Sequence, residues 1–469
     1  MMRLTWIQPP DLVGHALHRA ELARLDVAAL RAQWVDAGGD PRPLHAGASD
    51  LPFSAELRAL AERLLDELDA LPSPYADREP TDLPEIAHLA PALRDSASAA
   101  PAAPAAPAAA SPSPGAPSMD RYHGAWLGRA AGCLLGKPVE KIPRRGIREI
   151  LQSQGRWPLH AYFTERDLPA EVAARWPWNR RSAPTSLVEN IAGMPEDDDL
   201  NFPLLNLALL EDHGASVTTE DIAQRWLEAL PAGRVFTAER VAYRNLLLGY
   251  PPQRCARVRN PFQEWIGAQI RGDVFGWAAP GDPARAARLA WRDAVLTHTG
   301  NGVYGEMFVA AASAAALVAD RVDEVLDAAL DVVPPQSRYA EAVRFARDLP
   351  ATHADFEDAV DAIAERYGNL HWVHVLNNTA LVVAALAYGD GDYSASITHA
   401  VSGGWDTDSN GATVGSIVGA LTGARALPQS WISPLDNRLA STLAGFDGIG
   451  FDVLAARTKT VADRLRSTS

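Results

Sequence analysis

Two short acidic clusters, about two hundred residues apart, carry the side chains best suited to chemistry in this chain. The first reads Glu-Asp-Asp-Asp at residues 196–199, and the second reads Asp-Thr-Asp-Ser at residues 406–409. Carboxylate and hydroxyl oxygens are the ligands that hard divalent cations prefer. Each cluster stands directly before an apolar run with helical spacing, so both are expected at helix N-termini. If these N-termini meet, the clusters can hold a metal pair for hydrolysis.

The first cluster, taken alone, has a simpler explanation. Adjacent carboxylates repel, and a solvated helix N-terminus tolerates that repulsion as a bound cation does. An exposed acidic N-cap is therefore the alternative for residues 196–199. The second cluster favours a cation, because Gly403 and Gly404 precede it and a stripe of apolar residues follows it. An acidic turn between glycines and a buried helix is hard to explain as solvated surface.

The elements that must position these clusters are helices. After residue 119, apolar residues recur at intervals of three and four, and no segment shows the period of two that is typical of a strand. Asp282 directly before Pro283 is typical of a helix N-terminus. Thr218 and Asp221 have the spacing of a capping box. The sequence therefore predicts an all-α main domain.

Two of the predicted helices carry glycine at every fourth position. Glycine stands at 124, 128, 132 and 136 after Asp120, and at 411, 415, 419 and 423 after the second acidic cluster. Residues four apart share one helix face, so another backbone can approach each face closely. A membrane-spanning pair is excluded because charged or polar residues interrupt or flank the first run: Arg121, His123, Arg129 and Lys137.

Composition and charge limit the classes of protein to which this chain can belong. The chain has 469 residues, and 47% of them are hydrophobic, enough for a sizeable core. The net charge of −15 argues against nucleic-acid or anionic-membrane surfaces, which need clustered Lys and Arg. Cys133 and Cys255 are the only cysteines, so neither a disulfide framework nor a thiolate metal site is expected. No signal peptide and no membrane span are recognised, and we expect a soluble, cytoplasmic protein.

A low-complexity stretch divides the chain. Residues 96–118 are almost entirely Ala, Pro and Ser, a composition that stays extended because it has nothing to bury. We interpret this stretch as a linker between a small helical N-terminal region, residues 1–95, and a main domain, residues 119–469. One helical pattern of the N-terminal region opens at Pro9, and another opens at Ser54. A packing appendage is the favoured interpretation of this region, and a partner-binding module is the alternative.

Three blocks of the sequence resemble the signature motifs of the ADP-ribosylglycohydrolase family. They are Gly-Cys-Leu-Leu-Gly-Lys-Pro-Val-Glu at residues 132–140, the first acidic cluster, and Gly-Gly-Trp-Asp-Thr-Asp-Ser at residues 403–409. The resemblance covers residues 119–460 in matching order and leaves out residues 1–118. It implies an all-α orthogonal multi-helix bundle that holds two divalent cations, Mg²⁺ or Mn²⁺. It also implies cleavage of the glycosidic bond that joins ADP-ribose to arginine, serine or another acceptor.

The same resemblance implies roles for individual residues. The metal ligands would be Asp197, Asp198, Asp199, Asp406, Asp408 and Ser409. Glu140, which closes the first block, would position substrate or move a proton, and Asp198 and Asp406 would be further catalytic residues.

Three positions depart from the family pattern. Asp197 and Leu200 stand where the family has threonine, and Trp405 is inserted between the glycines and Asp406. These changes suggest a divergent subgroup that accepts a different sugar or leaving group.

A looser similarity covers residues 260–273 and 297–306, which resemble the family's glycine-rich ligand loop and Thr-His element. The candidate substrate-binding residues are Gln269, Arg271, His298, Asn301, Tyr304 and Trp405. The residue types leave alternatives open. Arg271 could form an ion pair with Asp273 or Glu306, His298 could cap a helix C-terminus, and Trp405 could pack in the core. Residues 371–378 interrupt an apolar helix with polar groups, and internal hydrogen bonding is the favoured explanation for most of them.

Together these features predict a metal-dependent hydrolase that cleaves the glycosidic bond of an ADP-ribosylated protein side chain or ADP-ribose derivative. Its expected partners are an ADP-ribose-type ligand or an ADP-ribosylated protein, and neither nucleic acid nor a membrane. Two alternatives stay open: a glycosidase acting on a small ribosylated metabolite, and a non-catalytic, ligand-binding or structural relative. Retention of both acidic clusters and Glu140 argues against the non-catalytic alternative.

Overall fold

The computed structural model describes residues 6–50, 52–97 and 117–467. These residues form α-helices and short 3₁₀ segments, with no strand among them. The all-α prediction is therefore confirmed for the described part of the chain. None of its helices is both long and apolar enough to cross a lipid bilayer.

The N-terminal region contains five helices: α1 (Pro9–Leu22), α2 (Ala28–Asp36), α3 (Ala55–Asp69), α4 (Leu83–Leu89) and α5 (Pro91–Ala97). Helix α3 begins where the sequence predicts it, because the Ser54 hydroxyl accepts a hydrogen bond from the Leu57 N–H at 3.2 Å. Most of the predicted linker, residues 98–116, lies outside the described residues.

The main domain contains the remaining helices: α6 (Met119–Gly136), α7 (Arg144–Ser153), α8 (Ala170–Arg175), α9 (Ala183–Ser186), α10 (Asp198–His213), α11 (Thr219–Ala229), α12 (Thr237–Leu247), α13 (Pro252–Cys255), α14 (Asp273–Trp277), α15 (Pro283–Ala294), α16 (Asn301–Ala316), α17 (Val322–Leu330), α18 (Arg338–Thr352), α19 (Phe356–Tyr367), α20 (Val375–Gly389), α21 (Tyr393–Ser402), α22 (Thr407–Thr422), α23 (Gln429–Ile432) and α24 (Phe451–Ser467). Both predicted caps are present. Asp282 caps α15, and Thr218 forms a capping box with Asp221 at α11.

Helices α6 and α22 lie antiparallel with their glycine faces together. A Cβ atom on Gly128 would lie 2.2 Å from the carbonyl oxygen of Gly415, and one on Gly132 would lie 2.0 Å from that of Gly411. Only glycine permits such an approach of two backbones. The predicted close packing is confirmed, and the partner of each glycine stripe is the other stripe. This pairing brings the end of α6 beside the start of α22.

The N-terminal region packs directly on the main domain. Arg259 of the main domain forms an ion pair with Asp66 at 2.7 Å, and its backbone N–H donates to Asp69 at 2.6 Å. The ring of His15 lies edge-on to Phe262 and Trp265, with centroids 5.2 and 5.7 Å apart. Buried residues of both parts belong to one hydrophobic core.

Candidate metal centre

The two acidic clusters meet at the N-termini of α10 and α22. Asp197 is the N-cap of α10, and its Oδ1 accepts a hydrogen bond from the Asp199 N–H at 3.0 Å. Asp406 directly precedes α22, and the Ser409 hydroxyl donates to Asp199 Oδ2 at 3.2 Å. Residues that are two hundred positions apart in sequence thus share one site. Both clusters lie at helix N-termini, as their positions before apolar runs predict.

The centre crowds carboxylates in a buried place. Asp199 is 1% exposed, Asp406 and Asp408 are each 7% exposed, and Asp198 is half-buried. Burial, and then the charge of Asp197, raises the pKa of Asp198 and of Asp199 well above the ordinary range. Burial and the charge of Asp408 do the same for Asp406. Burial, and then the charge of Glu140, raises the pKa of Asp408 to about 7. A bound cation would relieve this repulsion.

Two internal cations offset part of the negative charge. Lys137, at the end of α6, forms a buried ion pair with Asp197. Burial is the largest single influence on Asp197 and favours its neutral form, but the charge of Lys137 and the hydrogen bonds to this carboxylate together lower its pKa. Arg129 forms ion pairs with Asp199 at 3.3 Å and with Asp273 at 2.7 Å. Lys137 thus neutralises the aspartate that stands in place of the family's threonine.

The ligand set fits a hard divalent cation. Asp198, Asp406 and Asp408 present carboxylate oxygens, and Ser409 adds a hydroxyl, as Mg²⁺ and Mn²⁺ prefer. The Cys133 thiol lies 3.9 Å from Asp199 Oδ2, and both residues belong, with Asp197, to a group of possible ligand atoms within 4.8 Å of one another. Burial raises the pKa of Cys133 well above its ordinary value, so a thiolate ligand is disfavoured. The oxygen atoms of the group are therefore the favoured candidate ligands.

Glu140 lies beside the second cluster. Its charge contributes to the raised pKa values of Asp406 and Asp408. Glu140 Oε2 accepts a hydrogen bond from the Asn179 side chain, and Oε1 lies 3.1 Å from Lys141 Nζ. The side chain is 20% exposed. Glu140 thus lies at the accessible edge of the centre.

Arg271 and His298 lie in a different buried cluster. The Arg271 guanidinium contacts Glu239 at 2.8 Å, Asp293 at 2.5 Å and Glu306 at 3.4 Å. Asp273 pairs with Arg129 instead, so of the two ion pairs considered from the sequence only the one with Glu306 forms.

His298 shares this enclosed position. It is fully buried, its Nδ1 lies 2.6 Å from the Thr297 hydroxyl, and burial followed by the charge of Arg271 lowers its pKa well below the ordinary value. Neither Arg271 nor His298 has exposed surface, and a substrate contact by either stays a prediction.

Three further substrate candidates have partners within the protein. Gln269 Oε1 accepts from the Thr379 hydroxyl at 2.8 Å. The Asn301 amide donates to Glu79 Oε2 at 2.8 Å, and the Tyr304 hydroxyl donates to the carbonyl of Pro80. The N-terminal region therefore occupies the polar groups of Asn301 and Tyr304, and their role toward substrate also stays a prediction.

Trp405 is placed differently. It is half-buried and packs against the core, directly before Asp406 and with a left-handed backbone at φ 56°. It is the only one of the six substrate candidates that adjoins the acidic centre in sequence.

Sequence reasoning missed the partners of the centre. Lys137 stands in the first motif and Arg129 in the glycine-rich helix, but nothing local in the sequence pairs either cation with the first acidic cluster. Asn179 lies on a loop whose sequence carries no recognisable pattern, so its contact with Glu140 was not predictable.

The ADP-ribosylglycohydrolase family model matches residues 114–465 of this chain. The chain belongs to the ADP-ribosylglycohydrolase family. The resemblance found in the motifs is confirmed, and membership indicates a glycohydrolase. A protein of Archaeoglobus fulgidus, described as uncharacterized, is 26% identical over 327 residues, covering 68% of this chain and 92% of that protein. A solved chain described as an ADP-ribosylglycohydrolase-related protein complex aligns at 20% identity and a TM-score of 0.47, covering 74% of this chain and 98% of that chain.

Proposed function

We propose that this ADP-ribosylglycohydrolase-family protein is a divalent-cation-dependent enzyme that cleaves the glycosidic bond of an ADP-ribosylated protein side chain or ADP-ribose derivative. The observation that carries the proposal is the contact between the two acidic clusters, through Ser409 and Asp199 at 3.2 Å. Two helix N-termini bring carboxylates together there, although their mutual repulsion destabilises the metal-free site. Such a cost is typical of functional sites.

The proposed cation ligands are oxygen atoms of five of the six residues that the family pattern marks: Asp198, Asp199, Asp406, Asp408 and Ser409. Asp197 is held by Lys137 and acts mainly through that ion pair. Two Mg²⁺ or Mn²⁺ ions are proposed, and when bound they supply Lewis-acid chemistry and orientation of the ribose hydroxyls.

The chain's own groups supply the proton transfer and the electrostatic environment. Glu140 is placed to hold or move a proton at the accessible edge, and Asn179 fixes the orientation of its carboxylate. Positive charge develops on the ribose as the bond to the acceptor breaks, and the carboxylates of Asp198 and Asp406 stabilise it. Burial of the centre strengthens these interactions because it excludes water.

Calorimetric titration of ADP-ribose tests the proposal. Metal-stripped protein is titrated with and without Mn²⁺, for wild type, Asp406→Ala and the control Asp348→Ala, which changes an exposed aspartate of α18. We expect cation-dependent binding in wild type and in the control, and its loss in Asp406→Ala without loss of folding. Hydrolysis of ADP-ribosylated arginine and serine peptides then identifies the acceptor.

Two other outcomes are informative. If the cation binds but ADP-ribose does not, the centre acts on a different ribosylated compound, such as a small metabolite. If neither binds to wild type, the proposal is wrong and only the family fold is retained.

A further inference from the structure

Lysine is rare in this chain, and two of its three lysines adjoin the acidic centre. Lys and Arg together number 43, and the lysines are Lys137, Lys141 and Lys459. Lys137 is the buried partner of Asp197. Lys141 directly follows Glu140, and its side chain is 63% exposed. A compact ammonium is thus placed at the accessible edge of the centre, in a chain whose basic residues are otherwise mostly arginine.

The backbone of Lys141 is held in an unfavourable conformation. Its φ of 73° lies in the left-handed region, which residues with a Cβ atom rarely adopt and which glycine adopts freely. Such conformations persist where the surroundings fix them, and they concentrate at functional sites. Trp405, directly before Asp406, has a φ of 56°. Two bulky residues in this conformation therefore flank the centre, one beside Glu140 and one beside Asp406.

An indole ring lies within reach of the Lys141 ammonium. Lys141 Nζ is 5.8 Å from the ring centroid of Trp372, a half-buried residue between α19 and α20. The Trp372 carbonyl accepts from the Asn378 side-chain amide at 2.9 Å, and Asn378 Oδ1 accepts from the Asp406 N–H at 3.1 Å. One asparagine thus ties the Trp372 backbone to the start of α22. The Trp372 backbone is thus held relative to the acidic centre.

Lys141 adds a positive charge beside a centre rich in carboxylates. Carboxylate charge that the proposed cations do not offset repels a phosphate group at the edge of the centre. Both buried cations of the centre already form ion pairs, Lys137 with Asp197 and Arg129 with Asp199. Lys141 has only the neighbouring Glu140 as ion-pair partner in the described contacts, and most of its surface is open to solvent.

We propose that Lys141 and Trp372 form a recognition pair, in which the ammonium binds a phosphate group of the ligand and the indole packs on its ribose or base. The pair makes the site select phosphate-bearing ribosides over neutral ribosides. This inference rests on the proposed function, because it names the ligand class of the same site.

Amine labelling of the full-length, Mn²⁺-loaded wild-type protein tests the inference directly. With three lysines, an acylating reagent and mass spectrometry give the labelling rate of each one. We expect saturating ADP-ribose to slow labelling of Lys141 severalfold and to leave Lys459, on α24, unchanged. Equal labelling of Lys141 with and without bound ADP-ribose overturns the inference.

A pair of variants separates recognition from structure. Lys141→Gly removes the charge and relieves the left-handed backbone, so thermal stability should hold or rise while ADP-ribose affinity falls about tenfold. Lys141→Arg keeps the charge and should keep most of the affinity. Binding of free ribose, which has no phosphate, should be the same in all three proteins.

The outcomes distinguish this inference from the proposed function. If wild type binds the cation but not ADP-ribose, the ligand class inferred here is wrong, and if it binds neither, the proposed function is wrong as well. If wild type and Lys141→Gly bind ADP-ribose equally, the proposed function stands and the recognition pair does not.

Discussion

The ionisation of single carboxylates would determine how the centre binds the proposed cations. Lys137 neutralises Asp197, so the aspartate that replaces a threonine adds little net charge. Asp408 forms no ion pair in the described part of the chain, and burial followed by the charge of Glu140 raises its pKa to about 7 although the charge of Lys137 opposes them. Near neutral pH a bound cation would therefore displace a proton from Asp408, and we expect cation binding to become tighter as pH rises.

Ionisation of Asp408 should make the stability of the metal-free protein depend on pH, and Asp408→Asn should remove this dependence. Its pKa is about 7 in the folded protein and 3.8 as the ordinary value, so between these values the metal-free folded state binds more protons than the unfolded state. This contribution to stability is fully present below about pH 4 and is lost as pH rises through about 7. Metal-free Asp408→Asn should therefore exceed wild type in unfolding free energy by about 2 kcal/mol near pH 8.

Urea unfolding in chelator measures this difference. The advantage of Asp408→Asn should shrink toward about pH 5, where wild-type Asp408 is protonated. Added Mn²⁺ should stabilise wild type more than the variant. A stability difference that is the same at both pH values would contradict the raised pKa.

The helices α6 and α22 connect packing to the site. Their glycine faces bring the end of α6, with Lys137, beside the start of α22, with Asp406. The sequence shows both bare faces, because the spacing of four residues is local information. It does not show that each face is the partner of the other, nor the register that places Gly132 against Gly411. Those depend on contacts between segments that are distant along the chain.

Gly128→Ala tests the contact between α6 and α22. The new Cβ would lie 2.2 Å from the backbone carbonyl of Gly415, and a backbone atom cannot move aside as a side chain can. We expect the unfolding free energy to fall by about 1–3 kcal/mol, with weaker Mn²⁺ binding because the helix ends separate. Gly233→Ala is the control, since a Cβ there meets no atom within 4 Å. Equal stability of the two variants would show that the helices do not pack this closely.

At the scale of the whole molecule, the N-terminal region completes the polar network of the main domain. The family model begins at residue 114, yet Glu79 forms an ion pair with Arg338 at 2.7 Å and accepts from Asn301 at 2.8 Å. Arg338 also pairs with Glu264 at 2.9 Å. Composition indicated the boundary near residues 96–118 but not these contacts, because the segment around Glu79 has no periodic pattern and its partners lie more than two hundred residues away.

Glu79→Ala tests whether the two parts fold as one unit. In the variant, Glu264 is the remaining carboxylate that pairs with Arg338, and the Asn301 amide loses one acceptor. Breaking a buried ion pair costs about 3 kcal/mol of unfolding free energy. We expect the unfolding free energy of the full chain, measured in urea, to fall by that amount. Fluorescence and circular dichroism should both still report a single cooperative transition. Glu67→Ala is the matched control, because Glu67 forms an exposed ion pair with Arg63 and should cost less than about 1 kcal/mol. An early transition that affects only part of the signal would instead mean that the N-terminal region unfolds by itself, and that the main domain does not depend on it.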